Sequence, residues 1–100
     1  MQVIRWQEAT GPEESTLRKR MQQEGLSPHS WSNGPGDTYA VHSHSYEKVL
    51  YCVHGSIRFD MPASGDSVDL TAGDCLILPA NTPHSACVGS RGVTCIEAAR

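Results

Sequence analysis

No stretch of the chain approaches the eighteen or more apolar residues that a membrane span needs. There is no basic stripe either, and a net charge of -3 argues against electrostatic binding to nucleic acid. The segment Met1 to Glu8 lacks the apolar run of a secretory signal, so the cytoplasm is the expected compartment. Cysteine occurs at Cys52, Cys75, Cys87 and Cys95 but never as Cys-x-x-Cys. With no secretory signal, the expected role of these thiols is that of small buried hydrophobes, not a zinc knuckle or a disulfide framework. Internal repeats, low-complexity segments and an attached DNA-binding segment of the kind that would favour a sensor are also missing. At 100 residues there is room for one core but not two, so a single domain over residues 1–100 is expected.

What is present begins with one helix. Thr10-Gly11-Pro12-Glu13 reads as a helix start, with Thr10 or Gly11 at the cap and Glu13 placed to close a capping box on Thr10. The helix is expected over about 12–24, within an N-terminal arm of residues 1–27. Leu17 and Met21 give it a narrow apolar stripe, Glu14 and Arg18 an i, i+4 pair, and Gly25 a stop. Such a stripe cannot hold an isolated helix, so it should dock on the body of the protein. The cluster Arg18-Lys19-Arg20 reads as a solvated face.

From residue 28 the pattern changes to short strands between Gly, Pro and Asp turns. Runs at His29–Ser32, Thr38–His44, Lys48–Val53, Ser56–Met61, Val68–Leu70, Cys75–Pro79, His84–Val88 and Val93–Glu97 indicate an all-β sandwich or barrel over residues 28–100. Strict alternation puts Thr38, Ala40, His42 and His44 on one face of their strand. Tyr39, Val41, Val49, Tyr51 and Val53 share the face away from the histidines. That apolar outer face requires the N-terminal arm or a second subunit as cover, and a homodimer is expected. Cys52 shares parity with Lys48 and Leu50 and should face the interior. His29 and His54 read as surface or turn residues.

Two stretches carry chemistry. In His42-Ser43-His44 the histidines lie at i and i+2 of a strand, with alpha carbons about 7 Å apart, so their rings can converge on one metal ion. In Gly73 to His84 a turn, a buried strand and a Pro-rich turn deliver a third histidine to the start of the next strand. His84 can meet the first pair inside a small barrel.

With both stretches in hand the chain resembles the cupin superfamily. Gly36, His42, His44 and Gly55 fall on the family's first motif, and Gly73, Pro79 and His84 on its second. Asn81 stands where the second motif has a glycine, and Val88 where it has an asparagine. The resemblance implies a small double-stranded β-helix, the cupin jelly-roll barrel. It also implies a divalent metal ion, Fe, Ni, Mn or Zn, on His42, His44 and His84. The family's metal-binding glutamate position is occupied by Lys48, and Glu47 lies one residue too early. On a regular strand Lys48 points in and Glu47 out.

Three outcomes stay open. In the first the site is built of three histidines, with Lys48 lining the pocket to meet a substrate anion or act as acid or base. In the second a register shift brings Glu47 in as a fourth metal ligand. In the third the pocket binds its ligand without metal. The implied function is that of a mononuclear metal-dependent enzyme, dioxygenase-like or isomerase-like, acting on a small molecule, with Lys48 and Glu47 as candidate catalytic residues. The alternative is a non-catalytic cupin that binds or senses a small molecule or metal.

Overall fold

A computed structural model describes residues Met1–Arg100 as seven strands and one helix. They run in the order β1 (Gln2–Ile4), α1 (Glu14–Gln23), β2 (His29–Asn33), β3 (Thr38–His42), β4 (Lys48–Met61), β5 (Asp66–Thr71), β6 (Cys75–Leu78) and β7 (His84–Ala99). The fold is the all-β jelly roll with one short helix that the family resemblance implied. Its sheet is continuous and folds back on itself without closing into a barrel.

Two long strands make the fold. The first half of β4 pairs with β6 and with the last half of β7, while its second half pairs with β5 and the first half of β7. One layer is therefore β1-β6-β4-β7-β2, and the other is β5-β4-β7-β3. Sequence alone split β4 at Gly55 and β7 at Gly89 to Gly92, reading turns there. The glycines instead bend strands that continue: Gly55 and Gly92 have φ of 79° and 75°. The register shifts beside Gly55, where a β-carbon would stand 2.0 Å from the Gly92 carbonyl oxygen. Only glycine tolerates both the left-handed conformation and that approach.

The main core lies between the layers, built from inward residues such as Leu50, Cys52, Ile57, Phe59, Leu70, Leu76 and Cys95. A second core lies under the helix. Leu17 and Met21 are fully buried against Val49, Val53, Cys75, Ile96 and Ala98 on the outside of the first layer. The N-terminal arm thus covers the outer face of β4. The helix begins at Glu14, not 12, and Glu13 stands at its N-cap without a side-chain bond, so no capping box forms on Thr10. Its end is the expected one: Leu26 N–H donates to Met21 O and Gly25 N–H to Gln22 O, with Gly25 at φ 81°.

Two side-chain placements depart from simple alternation. Tyr39 pairs with Ala86 and His42 with His84, so three steps on β3 match two on β7. This bulge turns Tyr39 to the same side as His42, where alternation placed it on the opposite face. Cys87, expected to be buried, is exposed, because it has the outward parity of its strand; Cys52, Cys75 and Cys95 are buried.

Candidate metal centre

Three histidines reach one point from separate places in the chain. His42 ends β3, His84 opens β7, and the two are cross-strand partners. His44 lies just past β3, and its backbone oxygen accepts a 2.7 Å hydrogen bond from Asn81 N–H. Asn81 adopts φ 61°, a left-handed conformation that asparagine tolerates better than most side chains. The turn before His84 thereby holds the segment that carries His44.

The ligand atoms of His42, His44 and His84 lie within 4.8 Å of one another. Ring centroids are 4.4 Å apart for His42 and His84, 4.9 Å for His42 and His44, and 5.4 Å for His44 and His84. Nδ1 of His42 lies 2.8 Å from Ala40 O, and Nδ1 of His84 lies 2.8 Å from Thr82 O. A carbonyl only accepts, so each Nδ1 carries the proton and Nε2 keeps its lone pair. Nε2 of His44 and Nε2 of His84 are buried with no hydrogen-bond partner. Buried polar atoms without partners are rare, and two converging imidazole nitrogens in that state fit a bound cation.

Electrostatics favour the neutral form of His44 and His84. Burial pushes the His44 imidazole below the ordinary value, and the positive charge of Lys48 and the neighbouring rings add to the effect. Burial does the same for His84; its bond to Thr82 opposes the shift, while His42 and Lys48 reinforce it. Neutral imidazole is the form that ligates metal.

The histidines open onto a cavity of about 250 Å³. Its other walls are Trp31, Tyr39, Lys48, Ile57, Phe59, Ala86 and Glu97. The Lys48 Nζ stands 3.3 Å from Glu97 Oε2. Trp31 Nε1–H donates to Glu97 Oε1 at 2.6 Å. Glu47 does not line this cavity: Arg100 Nε donates to its Oε1 at 2.6 Å, and Arg100 N–H to its backbone oxygen at 2.8 Å. His29 and His54 are exposed.

Glu97 was missed by sequence reasoning, which took it only as the end of a strand. Its parity with the inward residues Val93 and Cys95 was the available signal, since a carboxylate at that position needs a buried partner. The link from Trp31 to Glu97 spans 66 residues of chain, so no local pattern announces it.

The cupin domain family model matches residues 29–95, and the chain belongs to that family. An RmlC-like cupin of Shewanella frigidimarina is 27% identical with a TM-score of 0.64, over 74% of this chain and 64% of its own. An oxalate decarboxylase variant of Bacillus subtilis is 25% identical with a TM-score of 0.65, over 74% of this chain and 20% of its own. A polyketide cyclase of Streptomyces resistomycificus is 20% identical with a TM-score of 0.67, over 74% of this chain. The chain spans about half (53%) of that cyclase's length. No curated protein matches the chain. No helix is long and apolar enough to cross a membrane.

Proposed function

We propose that this cupin holds one divalent metal ion, Fe, Ni, Mn or Zn, on His42, His44 and His84, and uses it to transform a small organic molecule in the adjoining cavity. The observation that carries this reading is the pair of buried, unpartnered Nε2 atoms of His44 and His84. When bound, the ion would supply Lewis-acid or oxygen-activating chemistry. The chain's own residues do the rest. The carbonyls of Ala40 and Thr82 fix the tautomer and direction of the rings. Phe59, Ile57 and Trp31 give the substrate an apolar wall and limit water. Lys48 faces the substrate and handles its charge or proton, and Glu97 orients Lys48. Glu47, bound to Arg100, is left out of this set. The decarboxylase and cyclase among the similar structures, both enzymes on small molecules, support a catalytic role.

Elemental analysis of purified wild-type protein beside the His84→Ala variant tests the reading. Near-stoichiometric metal in the first and little in the second is expected; equal, near-zero metal in both would remove it. Metal binding without turnover of any small-molecule substrate would favour the holding or sensing alternative. We further propose a cytoplasmic location, supported by four free thiols. A homodimer would form along the outer side of β3, where Val41 is exposed, and sedimentation velocity would register it.

A further inference from the structure

We infer that the cavity recognises a small organic carboxylate through Lys48, with Glu97 and Trp31 as positioning residues. This rests on the preceding reading only in taking the same cavity as the working site; the recognition itself does not require the metal.

Lys48 carries its charge indoors. Its side chain is 9% exposed, and its ion-pair partner is Glu97. An ammonium has three N–H donors; its contact with Glu97 Oε2 is an ion pair at 3.3 Å, and no hydrogen bond joins Nζ to a protein acceptor. These donors border a cavity whose other walls, beside Glu97, are the three imidazoles, the Tyr39 phenol and apolar side chains. Donors left unpaired in such a place are an invitation to an acceptor on a ligand.

Glu97 is already engaged: its Oε1 accepts from Trp31 Nε1–H, and its Oε2 is ion-paired with Lys48 Nζ. The indole holds the carboxylate in place and so fixes the direction of Lys48. The titratable and charged groups lining the cavity, from β3, β4, β7 and the segment after β3, are Tyr39, His42, His44, Lys48, His84 and Glu97. The formal charges of Lys48 and Glu97 cancel. The position at which the family's glutamate would bring a negative charge brings a positive one. A divalent ion on the histidines would then stand without a protein anion to offset it, and a carboxylate ligand meets both that charge and the free N–H groups of Lys48. The apolar wall of Ile57, Phe59 and Trp31 receives the ligand's hydrocarbon part.

Isothermal titration calorimetry with benzoate, and with benzyl alcohol as its neutral counterpart, tests the inference on zinc-loaded and metal-free protein. Wild type should bind benzoate at least about tenfold tighter than benzyl alcohol in both forms. The Lys48→Met variant should lose that preference and Lys48→Arg should keep it. Glu97→Gln, which leaves the lysine without its counter-charge, should tighten benzoate and leave benzyl alcohol unchanged. A purely structural role for Glu97 would move both ligands alike. Should Lys48→Met fail to fold, the double variant Lys48→Met with Glu97→Gln, which leaves no lone charge, serves in its place. Equal binding of the two probes by wild type, or an undiminished benzoate preference in the folded lysine-less protein, overturns the inference. Metal content measured on the same samples separates the two claims. Wild type without metal sinks the metal reading alone, and the metal-free titration still decides the role of Lys48.

Discussion

Lys48 and Glu97, 49 positions apart in the chain, meet at 3.3 Å with side chains only 9% and 11% exposed. In each of the other five ion pairs at least one side chain is more than 30% exposed. Such a pair stabilises little relative to an apolar replacement of both partners, but removing one partner strands the other. Lys48→Met should therefore destabilise the fold by about 3–5 kcal/mol, while Lys48→Met combined with Glu97→Leu should recover most of the loss. Urea denaturation of the three proteins measures this. Equal loss in the single and double variants would mean that packing, not the stranded carboxylate, sets the cost.

The bend at Gly55 should be as intolerant. Its left-handed φ of 79° and the 2.0 Å approach of the Gly92 oxygen leave no room for a methyl group. Gly55→Ala should cost about 3 kcal/mol or more, or prevent folding. Gly11→Ala, where nothing lies within 4 Å and φ is ordinary, is the control and should change stability little. A comparison of thermal midpoints decides it; similar midpoints would show that the two strands can bend without glycine.

A pH dependence follows from Asp74, which ties the N-terminal arm to the turn between β5 and β6. Burial pushes its carboxyl up. The backbone N–H groups of Thr71 and Trp6 and the guanidinium of Arg5 outweigh that and hold it below the ordinary 3.8. A carboxyl with a lowered folded value contributes its stabilisation in full above its unfolded value, near 3.8, and loses it as pH falls through the folded value. Asp74→Asn should destabilise by about 1–3 kcal/mol at neutral pH. Chemical denaturation from pH 7 to pH 2 should show that gap shrinking below about 4; a constant gap would mean the charge of Asp74 plays no part.

Thiol reactivity should separate the cysteines. Cys87 is the one exposed thiol of the four. Burial pushes the Cys75 thiol up to about 11, which leaves almost no thiolate at neutral pH in the folded protein. A disulfide reagent such as Ellman's should modify one thiol quickly in the native protein and four in denaturant. Cys87→Ser should abolish the fast phase; fast labelling that survives would place another thiol at the surface.

Much of this was legible before folding. His42 and His84 carry their approach in the spacing of two glycine-anchored stretches, and Leu17 and Met21 carry the docking face of the helix. What was not legible arises where one strand answers to another. Tyr39 faces the cavity because β3 gains a residue relative to β7, and that mismatch exists only in the pairing. Gly55 and Gly92 read as turn residues because a left-handed glycine serves a turn and a bend equally well; only their contact distinguishes the two. Glu97 seemed an ordinary strand end until Lys48 and Trp31 stood beside it.

The central claim is that three histidines form one metal site, and anomalous diffraction from crystals of the metal-loaded protein tests it most directly. The expected map has a single strong peak bounded by Nε2 of His42, His44 and His84, at about 2.0–2.2 Å from each nitrogen, with Glu47 still on Arg100. A peak elsewhere, or none at this point at full metal loading, would contradict it.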